Sequence, residues 1–471
     1  MIEQLDLDDV CLIDPWLGRS GPARLEIRDG LISGLSWRAS RGTDRAEDPR
    51  LLVLPGLMDL HAHLREPGDA TAETIGSGLA AAAHGGFTTV VSMANTDPPL
   101  DRVALLHGAT RAAQKSGSPV RLLPGAATTL GRAGTTLVPM AALAEAGAAC
   151  FSDDGSPVAD PSLFRSALAH AGAVGRVLVE HPEETALTVD AEAGEGLAAT
   201  VLGLRGAPVA AEVSAVGRAL AILEDVCADA PADTKPRLHL THLSCGGSVD
   251  LVRRAKAARL PVTCDVTPHH LCLHDGWLGG DRRFSWEVGE LRWPAAAVDG
   301  PPYDPNTRVN PPLRSPSDAL ALARAVADGT VDAVATDHAP HAPGAKAVPY
   351  GEAANGISGI ETALGLLLAA VRGGVLGLDD VARALTLGPA RVLGEQVLGW
   401  PPNQSPLQEG APADLVVVDR GGEVAITPEW LRSRGKNSPL LGRRLPGRVI
   451  LTVAGGRVAF EADGVLGAAL R

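Results

Sequence analysis

Two histidines, His61 and His63, are separated by one residue at the end of an apolar run that begins at Leu51. Alternate residues of a strand point to the same side, so both imidazoles can reach one ion. Four more residues with ligand-type side chains follow later apolar segments: Asp153, His181, His242 and Asp337. Imidazoles and carboxylates are the ligands that Zn²⁺ and similar cations prefer. The set therefore predicts a metal site that can activate water for hydrolysis.

An arginine, Arg65, lies two residues beyond the histidine pair. A guanidinium can hold a carboxylate through two parallel hydrogen bonds. The position of Arg65 beside the predicted metal site therefore suggests a substrate that carries a carboxylate.

The segments that carry these residues alternate in character between about 55 and 390. Apolar strand candidates such as Val177 to Val179 run directly into polar residues, and helix candidates such as Thr74 to His84 and Pro316 to Ala327 lie between them. Repeated strand and helix segments with short connections are typical of parallel α/β folds. Polar residues at the carboxyl ends of the strands favour a (β/α)₈ TIM barrel, which keeps its active site there.

Both ends of the chain differ from the middle and consist of short β-like runs separated by turns. Asp414 to Asp419 reads as a strand, and Ala454 to Arg457 reads as a hairpin turn. We therefore predict a small β-sandwich module built from residues 1–54 and 391–471, and a catalytic barrel over residues 55–390.

Composition excludes several classes of function. The chain has 471 residues, is 45% hydrophobic and carries a formal net charge of -13, which argues against nucleic acid or an anionic membrane surface as the main partner. Six dispersed cysteines suggest reduced thiols, and no apolar run reaches the ~18 residues of a membrane span. The amino terminus has no signal-peptide pattern. These features predict a cytoplasmic protein.

Several longer motifs carry a family resemblance. The run PGLMDLHAHLREPG (residues 55–68) resembles the signature of the metal-dependent amidohydrolase superfamily, and its LREPG portion resembles the dihydroorotase family. Further motifs agree in order: ANTDPP (94–99), FSDDGSPV (151–158), EHPEE (180–184), THLSCGGS (241–248), TPHHL (267–271), VNPPLR (309–314), ATDHAPH (335–341) and NGISGIETAL (355–364). FSDDG together with VNPPLR resembles the type I branch.

The resemblance implies a ligand set for one or two Zn²⁺ ions. One ion would be held by His61, His63, Asp153 and Asp337, and the second by His181, His242 and the bridging Asp153. Many relatives bridge their ions with a carbamylated lysine, but this chain has no lysine between Lys115 and Lys235. From the sequence alone Asp154 could compete for the bridging role. The resemblance favours Asp153, and we assign to Asp154 a part in supporting the ligands or forming the turn.

The resemblance also implies a reaction, the reversible interconversion of N-carbamoyl-L-aspartate and L-dihydroorotate in pyrimidine biosynthesis. Asp337 would shuttle the proton between water and the ring nitrogen. Arg65, Asn95 and His341 would bind the ring carboxylate, and Asn310, Asn355 and Gly356 would read the amide edges of the ring. A homo-oligomer is expected, and association with aspartate transcarbamoylase is left open.

Two alternatives remain beside this interpretation. A different cyclic amidase, such as an allantoinase or a dihydropyrimidinase, is disfavoured by Arg65 and by the missing lysine. A catalytically inactive partner of aspartate transcarbamoylase is disfavoured because all six ligand positions are filled. One stretch, residues 275–308, is longer than the resemblance leads us to expect, and we predict a surface insertion there.

Overall fold

The computed structural model describes residues 1–38, 49–231, 234–288 and 299–462. The strands are β1 (Gln4–Asp14), β2 (Arg19–Arg28), β3 (Leu31–Trp37), β4 (Leu51–Pro55), β5 (Leu57–Ala62), β6 (Phe87–Ser92), β7 (Arg121–Pro124), β8 (Cys150–Phe151), β9 (Val177–Glu180), β10 (Ala193–Gly194), β11 (Gly206–Ala207), β12 (Leu238–Leu240), β13 (Val262–Val266), β14 (Ala333–Val334), β15 (Leu415–Ala425), β16 (Arg444–Ala454) and β17 (Arg457–Glu461).

The helices alternate with these strands through the middle of the chain. They are α1 (Ile75–His84), α2 (Val103–Ser116), α3 (Met140–Glu145), α4 (Pro161–Ala173), α5 (Leu197–Leu202), α6 (Ala210–Asp229), α7 (Gly246–Ala257), α8 (Pro268–Cys272), α9 (Pro316–Ala327), α10 (Ala363–Arg372), α11 (Leu378–Leu385), α12 (Leu387–Leu393) and α13 (Glu395–Leu398). Within the described ranges, no helix combines the length and the apolar character needed to cross a bilayer.

Besides the two-stranded parallel sheet of β10 and β11, two larger all-parallel sheets occupy the middle of the chain. One has the order β5-β6-β7 and the other the order β14-β13-β12-β9-β8. Every residue of β6 is buried, as expected of a parallel strand that is covered on both faces. The prediction of an α/β fold with parallel strands is confirmed.

Two isolated bridges connect the edges of these sheets. Ala126 pairs in parallel with Phe151, next to β7 and within β8, and Ala62 pairs in parallel with His338, within β5 and just after β14. The carboxyl ends of β5 and β14 therefore lie side by side. This neighbourhood matters because both strands lead into predicted site residues.

Strands from the two ends of the chain meet in one seven-stranded sheet. Its order is β17-β16-β15-β4-β1-β2-β3, and the only parallel pairing among its described strands joins β1 to β4. The sheet has its own apolar core, which includes Leu25, Ile32, Val53 and Val417. β2 alternates between buried and more exposed residues, as expected of a strand covered on one face, whereas β4 and the start of β15 are buried on both faces, because Leu52 and Val416 pack into the main core.

Helix starts near the strand ends are fixed by side-chain caps. Asp160 accepts hydrogen bonds from the amides of Ser162 and Leu163 at the start of α4. Thr74 and Ser77 form a capping box at the start of α1. Such caps satisfy the first amides of a helix and so fix where each loop ends.

The first part of the stretch predicted as a surface insertion, residues 275–288, is instead largely packed inside the protein, whereas residues 299–308 are mostly half-buried or exposed. Over the described residues 275–288 most side chains are buried, and Trp277 is 0% exposed. The guanidinium groups of Arg282 and Arg443 lie 5.1 and 5.5 Å from the Trp277 ring. For residues 275–288 the prediction was wrong, because turn-forming residues in the sequence drew attention away from the apolar side chains of Trp277 and Phe284, which are buried. Residues 289–298 of that stretch lie outside the described residues.

Candidate metal and substrate site

Most of the predicted ligands follow the carboxyl ends of parallel strands. His61 is the penultimate residue of β5, and His63 comes directly after that strand. His181 follows β9, and His242 follows β12 by two residues. Asp337 follows β14 by three residues. Each of these side chains is buried, so the strands bring distant parts of the sequence into one dry cluster.

The first two histidines face each other. Their Nε2 atoms are 3.2 Å apart, and Oδ1 of Asp337 lies 3.0 Å from Nε2 of His63 and 3.6 Å from Nε2 of His61. This triad is one of the two groups of potential metal ligands that the described residues form.

The neighbours of each ring determine which nitrogen carries the proton. Thr241 donates its hydroxyl hydrogen to Asp265 (3.1 Å), so its oxygen is free to accept from Nδ1 of His61 at 2.8 Å. Nδ1 of His63 lies 2.7 Å from Oδ1 of Asn95, which can only accept. Both rings in their neutral form therefore direct bare Nε2 lone pairs toward each other, an arrangement that a cation between them stabilises.

The second histidine pair repeats this arrangement. Nδ1 of His181 lies 3.0 Å from Nε2 of His242. On its other side, Nε2 of His181 donates to Oε2 of Glu183 at 2.7 Å. Nδ1 of the neutral His181 ring is therefore the unprotonated nitrogen, directed into the cluster.

A single carboxylate, that of Asp154, lies between the two pairs. Its Oδ1 is 3.4 Å from Nδ1 of His181 and 3.3 Å from Nε2 of His242. Its Oδ2 is 3.4 Å from Nε2 of His61 and 3.7 Å from Nε2 of His63. One oxygen for each imidazole pair is the arrangement that a bridging ligand requires.

The structure does not bring Asp153 into this cluster, contrary to the prediction. The backbone amides of Thr128 and Thr129 donate to its Oδ1 at 2.8 and 3.1 Å, and the Thr129 hydroxyl donates to Oδ2. Its carbonyl accepts from the amide of Ser156 at 2.7 Å in a tight turn. This turn directs Asp153 toward the loop after β7 and Asp154 toward the histidines.

Charge in the cluster favours a cation. Burial alone would lower the pKa of His61, but the charge of Asp154 outweighs it and raises that pKa to about 9. For His181, burial is likewise outweighed by Asp154 and Glu183, which raise the pKa to about 10. Burial opposes ionisation of Asp154, yet the surrounding imidazoles hold its pKa well below its usual range. A site that takes up protons this readily also binds a divalent cation in their place.

A cavity opens from the cluster and is lined by Arg65 and the remaining predicted substrate residues. The Nε–H of Arg65 donates to the carbonyl of Pro340 at 3.2 Å. Burial lowers the pKa of Arg65, and no carboxylate of the described residues forms an ion pair with it. A partly buried guanidinium that forms no ion pair with a described residue is a ready site for an anion.

The other predicted substrate residues line the same cavity: Asn95, Asn310, His341, Asn355 and Gly356. Asn310 donates to Glu183 at 2.9 Å, and Nε2 of His341 donates to the carbonyl of Asn355 at 2.7 Å. Burial, followed by the charge of Arg65, lowers the pKa of His341 to about 4, so its ring is neutral when the cavity is empty.

Several residues that support the ligands were not singled out from the sequence. Glu183 orients His181, and although burial opposes its ionisation, the hydrogen bond from His181 lowers its pKa to about 2. Asp265 accepts from Thr241 and from the amide of His242 at 2.6 Å. The spacing of Glu183 two residues after His181 is a signal that could have identified it. Nothing in the sequence marks Asp265.

Three non-glycine residues of this site have positive φ angles: Arg65 (56°), His242 (40°) and Asp337 (45°). Non-glycine residues rarely adopt this conformation, and it persists where surrounding contacts enforce it. The three residues with this strained backbone conformation are also residues that line the cavity.

Comparison with known proteins gives consistent results. The family model described as dihydro-orotase-like matches residues 50–229. A dihydroorotase from Anaeromyxobacter dehalogenans is 40% identical over 98% of this chain and 99% of its own length. A dihydroorotase from a Geobacter species is 38% identical over 96% of this chain and 98% of its own length.

Solved structures show a similar fold at lower identity. The L-hydantoinase (dihydropyrimidinase) from Arthrobacter aurescens aligns with a TM-score of 0.76 at 21% identity, covering 98% of this chain and 96% of that protein. The D-hydantoinase (dihydropyrimidinase) from a Thermus species aligns with a TM-score of 0.71 at 21% identity, covering 97% and 95%. At this identity the likeness concerns the fold alone.

Proposed function

The chain belongs to the dihydroorotase family, and from this premise we propose that it interconverts N-carbamoyl-L-aspartate and L-dihydroorotate in pyrimidine biosynthesis. The observation that carries the substrate assignment is Arg65, a partly buried guanidinium that forms no ion pair with a described residue and lines the same cavity as the imidazole and carboxylate cluster. A cyclic amide with a ring carboxylate fits both features. The enzyme is a metal-dependent cyclic amidohydrolase.

We assign Zn²⁺, as one or two ions per chain, to the cluster. His61, His63 and Asp337 would hold one ion, and His181 and His242 would hold the other, with Asp154 bridging in place of Asp153. The donor set supports this assignment, since neutral imidazoles and carboxylates suit Zn²⁺ and the facing nitrogens of the two histidine pairs lie 3.2 and 3.0 Å apart. When bound, the metal lowers the pKa of a water and polarises the scissile carbonyl.

Asp337 moves the proton in this proposal. Burial opposes its ionisation, but the contact with His63 holds its pKa well below the usual range, so the carboxylate is ionised at neutral pH. It accepts a proton from water and passes it to the ring nitrogen as the amide bond breaks. In the ring-closing direction the same carboxylate takes the proton from the ureido nitrogen.

The cavity residues orient the ring. Arg65 binds the ring carboxylate through its guanidinium, and Asn95 adds its amide hydrogens because its Oδ1 already accepts from His63. A bound anion favours the protonated form of His341, whose Nδ1–H can then donate as well. Asn310, Asn355 and Gly356 read the amide edges of the ring.

We also infer a closed (β/α)₈ barrel over residues 55–390 as the catalytic domain. The two parallel bridges between the sheets support closure, because together with the strand pairings they link β5 through β14 in a ring. For residues 1–54 and 391–471 we propose a β-sandwich module, which the mixed seven-stranded sheet supports.

Location and assembly complete the proposal. Six free cysteines support a reducing compartment such as the cytoplasm. A homo-oligomer and an association with aspartate transcarbamoylase are supported by exposed apolar residues such as Leu187 and Val189. Light scattering of the purified protein, alone and mixed with that enzyme, tests both.

The function is tested by assaying purified protein against dihydroorotate, hydantoin and allantoin, with metal content measured on the same sample. We expect turnover of dihydroorotate and little of the other two. A metal-loaded protein that leaves dihydroorotate unchanged, or that prefers hydantoin or allantoin, would contradict the proposal.

The Arg65→Met variant tests in the same assay whether Arg65 binds the ring carboxylate of the substrate. Loss of a buried charge partner should raise KM for dihydroorotate by about tenfold or more, because the ring carboxylate is left unpaired. Metal content should stay at the wild-type level, since Arg65 is not a ligand in the proposal. An unchanged KM would remove the assignment of Arg65.

A further inference from the structure

A short segment of the carboxyl-terminal region passes beneath the loops that line the cavity. We define residues 432–437, which precede β16 in the chain, as the strap. Two buried carboxylates hold its backbone: Glu361 accepts from the amides of Arg432 (2.6 Å) and Ser433 (3.0 Å), and Glu73 accepts from the Ser433 hydroxyl (2.6 Å). The strap is therefore anchored to the parallel-stranded region and is not a free tail of the seven-stranded sheet.

The strap approaches the loop after β14 too closely for any side chain at Gly435. A Cβ atom there would lie 2.6 Å from the backbone nitrogen of His341 and 2.7 Å from Cβ of Pro340. Its amide donates to the carbonyl of Ala72 at 2.9 Å, and its carbonyl accepts from the hydroxyl of Ser358 at 2.7 Å. The backbone at Gly435 is thus sandwiched between loops that surround the cavity.

Asn437 ends the strap and uses its whole amide group on two of these loops. Its Nδ2 donates to the carbonyls of Ala339 and Gly356, both at 3.0 Å. Its Oδ1 accepts from the amide of His341 at 2.8 Å and lies 3.0 Å from the hydroxyl of Ser358, whose single hydrogen it shares with the Gly435 carbonyl. The side chain is 4% exposed, so water does not replace these bonds. Two donors and two acceptor positions match the complete capacity of an asparagine amide.

These bonds join two loops that bear proposed substrate contacts. One loop carries His341 and the Pro340 carbonyl that holds Arg65, and the other carries Gly356. The side chain of Asn437 does not line the cavity, and its bonds end on backbone atoms and on Ser358. Its effect on a ligand must therefore act through the spacing of the two loops.

Two bonds already join these loops directly: Nε2 of His341 donates to the carbonyl of Asn355 at 2.7 Å, and the amide of Ala339 donates to the carbonyl of Ile357 at 2.9 Å. We propose that Asn437 is a positioning residue that completes this connection, and that it thereby fixes the distance between the His341 loop and the Gly356 loop and the affinity for the substrate ring. The identity of the substrate in this inference rests on the proposed function. The positioning of the two loops by Asn437 does not depend on it. It predicts that loosening Asn437 weakens substrate binding and leaves the metal cluster intact. The proton-transfer residue Asp337 makes no contact with the strap, so the chemical step is less affected.

The test uses two substitutions of Asn437 in the full chain. Asn437→Ala removes all four bonds, and Asn437→Asp keeps the shape but sets a carboxylate oxygen against the carbonyls of Ala339 and Gly356. For both we expect KM for dihydroorotate to rise by about tenfold, with kcat changed by about threefold or less. Metal content should equal that of the wild type.

The matched control is Ser438→Ala. Ser438 is the next residue, is 1% exposed, and its hydroxyl accepts from the amide of Leu440 at 3.3 Å without touching either loop. Ser438→Ala should therefore lower the melting temperature without raising KM. An equal rise of KM in the control, or an unchanged KM in both Asn437 variants, overturns the proposal.

A second readout separates this inference from the proposed function. Amide hydrogen exchange should accelerate in peptides that cover residues 338–342 and 355–358 in both Asn437 variants, and not in Ser438→Ala. Faster exchange in a protein whose wild type does not turn over dihydroorotate contradicts the function and retains the positioning role. Unchanged exchange in a variant that folds contradicts the positioning role, whatever the substrate. If Asn437→Ala does not fold, the isosteric Asn437→Asp decides between these outcomes.

Discussion

At the scale of single residues, the site is organised by the direction of one carboxylate. Asp153 and Asp154 are adjacent in sequence and chemically identical, yet the former accepts three hydrogen bonds from Thr128 and Thr129 and the latter faces four imidazoles. A carboxylate that is saturated by neutral donors has little capacity left for a metal. The exposed lone pairs of Asp154 have that capacity.

Asparagine substitutions at these two positions should separate their roles. Asp154→Asn removes the carboxylate charge that lies between the imidazole pairs, so we expect metal content to fall and turnover to drop by about 100-fold or more. Asp153→Asn should instead destabilise the loop after β8 and retain the metal, since its partners are Thr128 and Thr129. Metal analysis by plasma emission and initial-rate assays measure both effects. Loss of metal in Asp153→Asn with retention in Asp154→Asn would falsify the assignment.

At the scale of elements, short irregular segments contribute more to the buried interior than their sequences indicate. The segment from Asp275 to Val288 contains little regular structure, yet it buries Trp277 and two carboxylates. Burial raises the pKa of Asp275 to about 7, with a further contribution from the charge of Asp318. Its Oδ1 has no hydrogen-bond donor among the described residues. Ionisation of this side chain at alkaline pH therefore destabilises the folded state.

The pH dependence of the free energy of unfolding should show this destabilisation. Below about pH 4, Asp275 is protonated in both the folded and the unfolded chain and costs nothing. Between about pH 4 and pH 7 the unfolded chain ionises while the folded chain stays protonated, so stability falls as pH rises and stays low above pH 7. Asp275→Asn removes this loss, and its melting temperature relative to the wild type should rise between about pH 5 and pH 8.

A neighbouring carboxylate provides the control for this experiment. Asp281 is also buried, but Arg283 donates two side-chain hydrogen bonds and a backbone bond to it, and these outweigh burial and lower its pKa. Its contribution is complete above about pH 4, so Asp281→Asn should destabilise equally at about pH 5 and pH 8. A pH-independent difference for Asp275→Asn would show that its ionisation does not matter to the fold.

At the scale of the whole molecule, the cluster joins parts of the chain that are far apart in sequence. His61 and Asp337 are separated by most of the central region of the sequence. The strap, which follows that region in the chain, contacts the loops around the same cavity. In the absence of a cation, protons must neutralise the facing carboxylates. Metal binding should therefore stabilise the entire fold and not only the loops.

Removing the metal should lower the melting temperature. An ion that binds only the folded state stabilises it by about 2.7 kcal/mol when its free concentration is about 100 times the dissociation constant. We expect a chelator to lower the transition in scanning calorimetry by several degrees and Zn²⁺ to restore it. Asp154→Asn should show a smaller shift on chelation. An unchanged transition in protein that loses its metal would contradict the coupling.

The sequence by itself determined the α/β class, the strand-end location of the ligands and the family. Local periodicity and motif spacing encode these features, because strands are formed by neighbouring residues and ligand types are visible in the letters. The histidine pair after Leu51 and the arginine beyond it needed no structure to be recognised. The same holds for the absence of a lysine between Lys115 and Lys235.

Only the tertiary structure decided which of two adjacent aspartates faces the histidines. The strand rule of alternating directions ends with β8 at Phe151, and beyond it the turn and the donors of Thr128 and Thr129 set the direction of each side chain. The same reason hid Asn437, whose partners lie about one hundred residues earlier in the chain. Contacts of this kind depend on which loops the fold places together, and no local pattern of residues encodes that.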